Sequence, residues 1–156
     1  MIYDAIPISY HIINYSNEKK YNISNLKLQK LLYLVQAYFL ATGPLPCFDD
    51  EIEAWDFGPV VPAVYHRFKQ FGSGNIPKLL FQNNDGRIIA VNGKDLKIAS
   101  EDISKINKVV DRFSKYSADD LVILTHHQDP WINAYERGRS SIITKSSIKE
   151  YFTHGK

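Results

Sequence analysis

The stretch from Leu26 to Ala41 constrains this chain more than any other. Leu28, Leu31, Leu32, Val35 and Phe39 recur at steps of three and four, the period of an α-helix, and Leu26, Leu34 and Tyr38 widen the stripe. Only Lys27, Gln29, Lys30 and Gln36 interrupt it. A helix apolar on so many sides cannot rest on a surface, so it is expected to run through the centre of the core. Thr42-Gly43-Pro44 stops it, with glycine just past the helix and proline beyond. No run approaches the roughly 20 apolar residues of a membrane span, so this is a core element.

The remaining periodicity is also mostly helical. Asp4 to Lys20 reads as a helix with Ile6, Tyr10, Ile13 and Asn17 on one face, Ile2 and Ile12 near it, and Pro7 in its first turn. A short strand or extended segment is expected around Glu51 to Asp56. Gly58-Pro59 then opens a helix with Val61, Val64, Tyr65, Phe68 and Phe71 on its apolar face, ended by Gly72. Asn83-Asn84-Asp85-Gly86 is a turn signal, across which Leu79–Phe81 and Arg87–Val91 pair as a hairpin. Ser100 caps a helix from Glu101 to about Tyr116, with Ile103, Ile106, Val110 and Phe113 inward. Ser117-Ala118-Asp119-Asp120 reads as a near capping box for a helix through Leu121, Leu124 and Thr125. Asp129-Pro130 breaks that helix and Pro130-Trp131 begins a further helical turn. Gly138 and Ser140 make a loop, and Ser146 or Ser147 caps a last helix anchored by Ile148 and Phe152.

Composition narrows the function classes. Lys and Arg number 19 against 17 Asp and Glu, a net charge of +2, which gives no bulk electrostatic case for nucleic acid. A single Cys excludes an internal disulfide and a multi-thiolate zinc site, and fits a reducing, cytoplasmic compartment. Met1 to Tyr10 lacks the basic start and apolar run of a signal peptide. Ten Tyr, eight Phe and two Trp argue against disorder.

Candidate chemistry is sparse. Asp49, Asp50, Glu51, Glu53 and Asp56 put five acids within eight residues with no base among them. They lack the ligand spacing and loop glycine of a Ca²⁺ site, so they read as an exposed, unpaired acidic edge or as a docking surface for a basic partner. His126, His127 and Asp129 lack metal-ligand geometry, because adjacent histidines on a helix diverge by about 100°. One of the pair is expected to pack near Trp131 and the other to be solvated. Cys47, between Pro46 and Phe48 with no basic neighbour, reads as a small packing residue. No Gly-x-Ser-x-Gly elbow or glycine-rich phosphate loop occurs, so no enzyme is expected. Neither a metal nor another cofactor is called for. Lys105, Lys108, Arg112 and Lys115 line one side of a helix, a solvated face or a nucleic-acid contact.

Three segments together resemble a known family. They are Leu28-Gln29-Lys30-Leu31-Leu32-Tyr33; then Glu53-Ala54-Trp55-Asp56-Phe57-Gly58-Pro59-Val60-Val61-Pro62-Ala63-Val64-Tyr65; and Thr125-His126 followed by Asp129-Pro130-Trp131. Their order and spacing are similar to those of the Panacea domain, the antitoxin SocA-like or phage-associated family, over about Ile8 to Phe152. The most specific part is Ala-Trp-x-x-Gly-Pro-Val. The resemblance implies a non-enzymatic binding module whose partner is a cognate protein toxin, with a protease as an adaptor target in one branch. It implies one Panacea-like domain over residues 1–156, with no room for an added DNA-binding domain.

On this reading the fold is mainly α, a compact single-domain helical fold with a small β-hairpin or extended segment. Leu28, Lys30, Leu31, Tyr33, Ala54, Trp55, Gly58, Pro59, Val60, Tyr65, His126, Pro130 and Trp131 are taken as determinants of the motif and fold. Asp49, Asp50, Glu51, Glu53, Trp55 and Asp56 are the candidate partner-binding residues. The function expected is neutralisation of a neighbouring-gene toxin by direct contact. The alternative is a nucleic-acid-binding or regulatory phage or prophage protein.

Overall fold

The computed structural model describes residues 1–154. In chain order the described residues form α1 (Ala5–Glu18), α2 (Asn25–Thr42), β1 (Ile52–Trp55), β2 (Gly58–Val60) and α3 (Pro62–Arg67). A 3-10 turn (Lys69–Phe71), β3 (Leu80–Gln82), β4 (Ile88–Ala90) and α4 (Ser100–Arg112) follow. The chain ends in α5 (Ala118–His126), α6 (Asp129–Arg137), β5 (Ser141–Ile143) and α7 (Lys145–Thr153). The fold is mainly α with minor β, as the periodicity implies.

Helix α2 is its axis and packs against α1, α3, α4, α5, α7 and β2. Ser24 starts it, its hydroxyl accepting the Lys27 amide at 3.2 Å. Leu28, Leu32, Tyr33 and Val35 are fully buried, and Leu31 nearly so. The four polar residues that interrupt the stripe are buried as well, and each binds the main chain of a non-helical segment. Gln29 Oε1 accepts the Val61 amide at 2.9 Å. Lys30 Nζ donates to the Pro59 carbonyl at 3.0 Å. Gln36 accepts the amides of Cys47 and Phe48 and returns a bond to the Phe48 carbonyl. Lys27 Nζ donates to the Ser114 carbonyl at 3.0 Å. Irregular backbone inside a core needs partners, and α2 supplies them from its own side chains.

Strands β2, β1 and β5 form a small antiparallel sheet in that order, with Trp55 opposite Gly58 and Ile52 opposite Ile143. Strands β3 and β4 pair as a separate hairpin, Phe81 opposite Ile89, where the Asn83–Gly86 turn requires it.

Several local expectations are corrected. Pro59 lies in β2 and not in a helix; α3 begins at Pro62, because the Val61 amide is drawn to Gln29 and the preceding residues pair with β1. Ala99, not Ser100, occupies the N-cap of α4, and that helix stops at Arg112. Thr144 caps α7 by accepting the Ser147 amide at 3.1 Å. The face of α1 is rotated: Ala5, Ile8 and Ile12 are buried beside Ile13, whereas Ile6 and Tyr10 are half-exposed. Because α1 packs against α2, α3 and α4, it also buries Ser9, His11, Asn14 and Ser16, which a single-stripe reading counts as solvated. Strand β5 falls where the sequence reads as loop, since three residues are too few for alternation to register.

Candidate partner-binding site

The three motif segments meet at one structure, the β1–β2 hairpin. Its turn consists of Asp56 and Phe57 alone, since Trp55 pairs with Gly58. Gly58 has φ +112°, in the region that favours glycine, and a Cβ there would stand 2.6 Å from Lys30 Cε and 3.0 Å from Thr125 Oγ1. The hairpin therefore lies directly on α2 and α5.

Hydrogen bonds from below hold the turn. His126 Nε2 donates to the Asp56 carbonyl at 2.9 Å; a carbonyl only accepts, so this nitrogen carries the proton. Trp131 Nε1 donates to the Trp55 carbonyl at 2.9 Å. The Tyr135 hydroxyl donates to Asp56 Oδ1 at 2.6 Å, and Arg139 Nε lies 3.5 Å from the same oxygen. His126, Trp131 and Tyr135 stack in sequence, with centroids 4.1 and 4.6 Å apart. On the other side the Trp55 indole meets the Tyr65 ring edge-on at 5.1 Å and donates to Glu53 Oε1 at 2.9 Å. Tyr33, fully buried in α2, donates at 2.8 Å to Oε1 of Gln128, the N-cap residue of α6, and burial raises its hydroxyl pKa. Burial also pushes the Lys30 amine down to about 7.

Above this framework Phe57 is 67% exposed, a full aromatic ring at the tip of a fixed turn. Beside it lies an open depression of about 340 Å³, walled by Leu26, Trp55, Phe57, Val60 and Tyr65, with Arg139 at its rim.

The acidic run is not an unpaired patch. Asp50 Oδ1 accepts the Ala5 amide at 2.9 Å and so serves the first turn of α1, a task that Asp4 in the N-cap position leaves undone. Glu51 pairs with Lys145 Nζ at 3.2 Å. Glu53 receives the Trp55 indole, and Asp56 receives Tyr135 and Arg139. Asp49 is exposed, and its carbonyl accepts from Lys145 Nζ. His126 does stack on Trp131, while His127 is exposed and bonds the Ile123 carbonyl. Cys47 is fully buried, and burial raises its thiol pKa.

Comparison with known proteins now adds a family. The profile described as "Antitoxin SocA-like, Panacea domain" matches residues 28–132. A curated relative, Antitoxin SocA of Caulobacter vibrioides (strain NA1000 / CB15N), is 36% identical over 114 residues, covering 70% of this chain. The chain belongs to the antitoxin SocA-like, Panacea-domain family. It spans 58% of the length of that relative. No solved structure matches it. The matched span of this Panacea domain runs from the first turns of α2 through the start of α6, so it includes Lys30, Thr125, His126 and Trp131 beneath the hairpin and stops short of Tyr135 and Arg139.

Sequence reading missed Phe57, Tyr135 and Arg139 as parts of the site. Phe57 and Asp56 occupy the two unspecified positions of Ala-Trp-x-x-Gly-Pro-Val, so the motif itself marked the turn. Tyr135 falls four residues after Trp131, one helical turn along, which is the available signal for its stacking. Nothing in the sequence brings Arg139 to Asp56.

Proposed function

We propose that this chain is an antitoxin that inactivates a protein toxin by binding it directly, and that the toxin docks on the Asp56–Phe57 turn and the depression beside it. The exposed Phe57 ring carries the proposal. Exposed aromatics on rigid supports make strong interface anchors because little conformational entropy is lost when they are covered. The depression offers the complementary half, an apolar wall into which a partner side chain fits. Family membership supplies the partner's class. The same reading makes the chain non-catalytic and cytoplasmic.

The acids keep a secondary part. Asp49 is the one member of the run whose carboxylate makes no bond among the described residues, and Glu51 is only ion-paired at the surface. Charges at a rim act mainly on the rate of association.

The test is co-expression with the product of the adjacent gene, scoring growth rescue and co-purification. Phe57→Ser is expected to weaken binding by about 2 kcal/mol, roughly 30-fold, with an unchanged melting temperature. Asp49→Asn with Glu51→Gln is expected to slow association and flatten its salt dependence. Rescue and association kinetics unaltered in all variants would move the interface elsewhere. A neighbouring gene that is not toxic, together with no co-purifying protein, would sink the antitoxin reading. Toxin half-life with and without the chain separates occlusion from delivery to a protease.

Nucleic-acid binding through the helical basic stripe is less well supported. Lys105 Nζ sits over the Phe39 ring at 4.9 Å, Lys108 and Arg112 border an apolar groove on α2, and Lys115 lies beyond the end of α4.

A further inference from the structure

Lys115, once separated from the stripe, joins a different group. It lines an open cavity of about 870 Å³ together with Lys19, Lys20 and Lys27, where the end of α1, the start of α2, the Ser73–Asn75 loop and the α4–α5 connection converge. No acidic residue lines it, and it shares no lining residue with the depression beside Phe57. In a chain of near-neutral charge, four lysines lining one cavity, with Lys19 Nζ over the Tyr15 ring, concentrate positive charge there.

None of the four makes an ion pair among the described residues. The nearby carboxylates are turned to other work. Asp111 accepts the hydroxyls of Tyr15 and Tyr21, and Asp120 accepts the Ser117 amide in a capping box. Lys27 is only 7% exposed, and its ammonium spends one bond on the Ser114 carbonyl, leaving two donors without a hydrogen-bond partner among the described residues, with Asp120 acting on it only at longer range. Burial lowers its pKa, a cost that an arriving anion would relieve. Lys20 adopts φ +63°, a conformation ordinarily left to glycine, and its amide accepts this geometry to bond the Asn17 carbonyl. Ser24 and Ser117, the N-caps of α2 and α5, both line the cavity; the first turn of α2 carries no acid, so its dipole adds to the lysine field, whereas Asp119 and Asp120 offset that of α5. Tyr116 also lines the cavity, is 43% exposed, and packs edge-on with Phe113 at 5.3 Å.

We propose that this lysine cavity binds a phosphorylated small molecule of the nucleoside polyphosphate class, with its phosphates on Lys20, Lys27 and Lys115 and its base against Tyr116. The volume suits such a ligand. Clustered phosphates match clustered ammonium groups, and an aromatic edge matches a base. The proposal stands apart from the antitoxin reading and survives its failure.

The test titrates the purified full chain with ATP and with inorganic triphosphate in low-salt buffer, by calorimetry. Saturable one-to-one binding of ATP, tighter than triphosphate, is expected. Lys20→Glu and Lys115→Glu, both at exposed positions, should each weaken it about tenfold without altering the melting temperature. Lys149→Glu on α7, outside the cavity, should leave it unchanged. Equal affinity for ATP and triphosphate would overturn the base contact. Equal losses in all three variants would reduce the effect to net charge and overturn the site. No binding of either compound at about 1 mM would also overturn it, as would binding of single-stranded RNA alone.

Discussion

Lys30 is where the structure makes its most quantitative demand. The side chain is fully buried in α2, and its only hydrogen-bond partner among the described residues is the Pro59 carbonyl at 3.0 Å. Burial brings its pKa from 10.5 down to about 7. The sign follows from which state holds the proton. Between those two values the unfolded chain keeps the proton and the folded chain releases it, so stability rises with pH across the window. Below about pH 7 both states are protonated, and the folded protein bears the full cost of a buried charge. Integrated from about pH 7 to pH 9, Lys30 adds on the order of 2 kcal/mol, or roughly 4–8 °C in melting temperature for a chain of this size. The assay is thermal or urea unfolding of the parent and of Lys30→Met across that range. Methionine keeps the length of the stem and cannot ionise, so its profile should lack the rise, and near pH 7 it should be at least as stable as the parent. The comparison cancels every other titrating group, including Lys27 and His11. Parallel profiles for parent and Lys30→Met would refute the reasoning, because they would mean that the amine stays charged, or neutral, throughout.

Two further substitutions probe the same framework. Leu31→Ala should cost roughly 2–5 kcal/mol by leaving a cavity at a residue 1% exposed, and an unchanged urea midpoint would deny α2 its central place. Gly58→Ala should cost more than an ordinary glycine replacement, since it adds strain at φ +112° to a collision with Lys30 Cε; chemical denaturation of Gly58→Ala alone and combined with Lys30→Ala should show the two changes to be non-additive.

Much of the fold was legible because long helices announce themselves by period. The α2 stripe, the capping box at Ser117 and the Asn83–Gly86 turn all express local chemistry, and local chemistry is what a sequence displays. What was illegible depends on partners distant in the chain. Pro59 reads as a helix start until the Val61 amide is seen on Gln29, 32 residues away. Asp50 reads as a free acid until α1 is found to present the Ala5 amide to it. The polar residues of α2 read as interruptions because periodicity scores apolar content and is blind to backbone needing a partner. The site was half legible for the same reason: the run Glu53–Pro59 locates it, but not which acids are already engaged.

The three motif segments, separate in sequence, are one physical object. Gln29 holds the Val61 amide, Lys30 the Pro59 carbonyl, His126 the Asp56 carbonyl and Trp131 the Trp55 carbonyl, while Thr125 lies against Gly58. Every one of these four bonds ends on a main-chain atom. Main-chain contacts fix where the turn stands without dictating which side chains it bears. The residues that the motif leaves unspecified, Asp56 and Phe57, are those whose side chains project from the turn, one exposed and held by Tyr135, the other exposed at the tip. A scaffold of this kind separates stability from recognition. On the proposed function, substitutions beneath the hairpin act on folding, and substitutions at Phe57 act on binding. That division is why Phe57, outside the specified motif positions, is the residue on which the binding proposal rests.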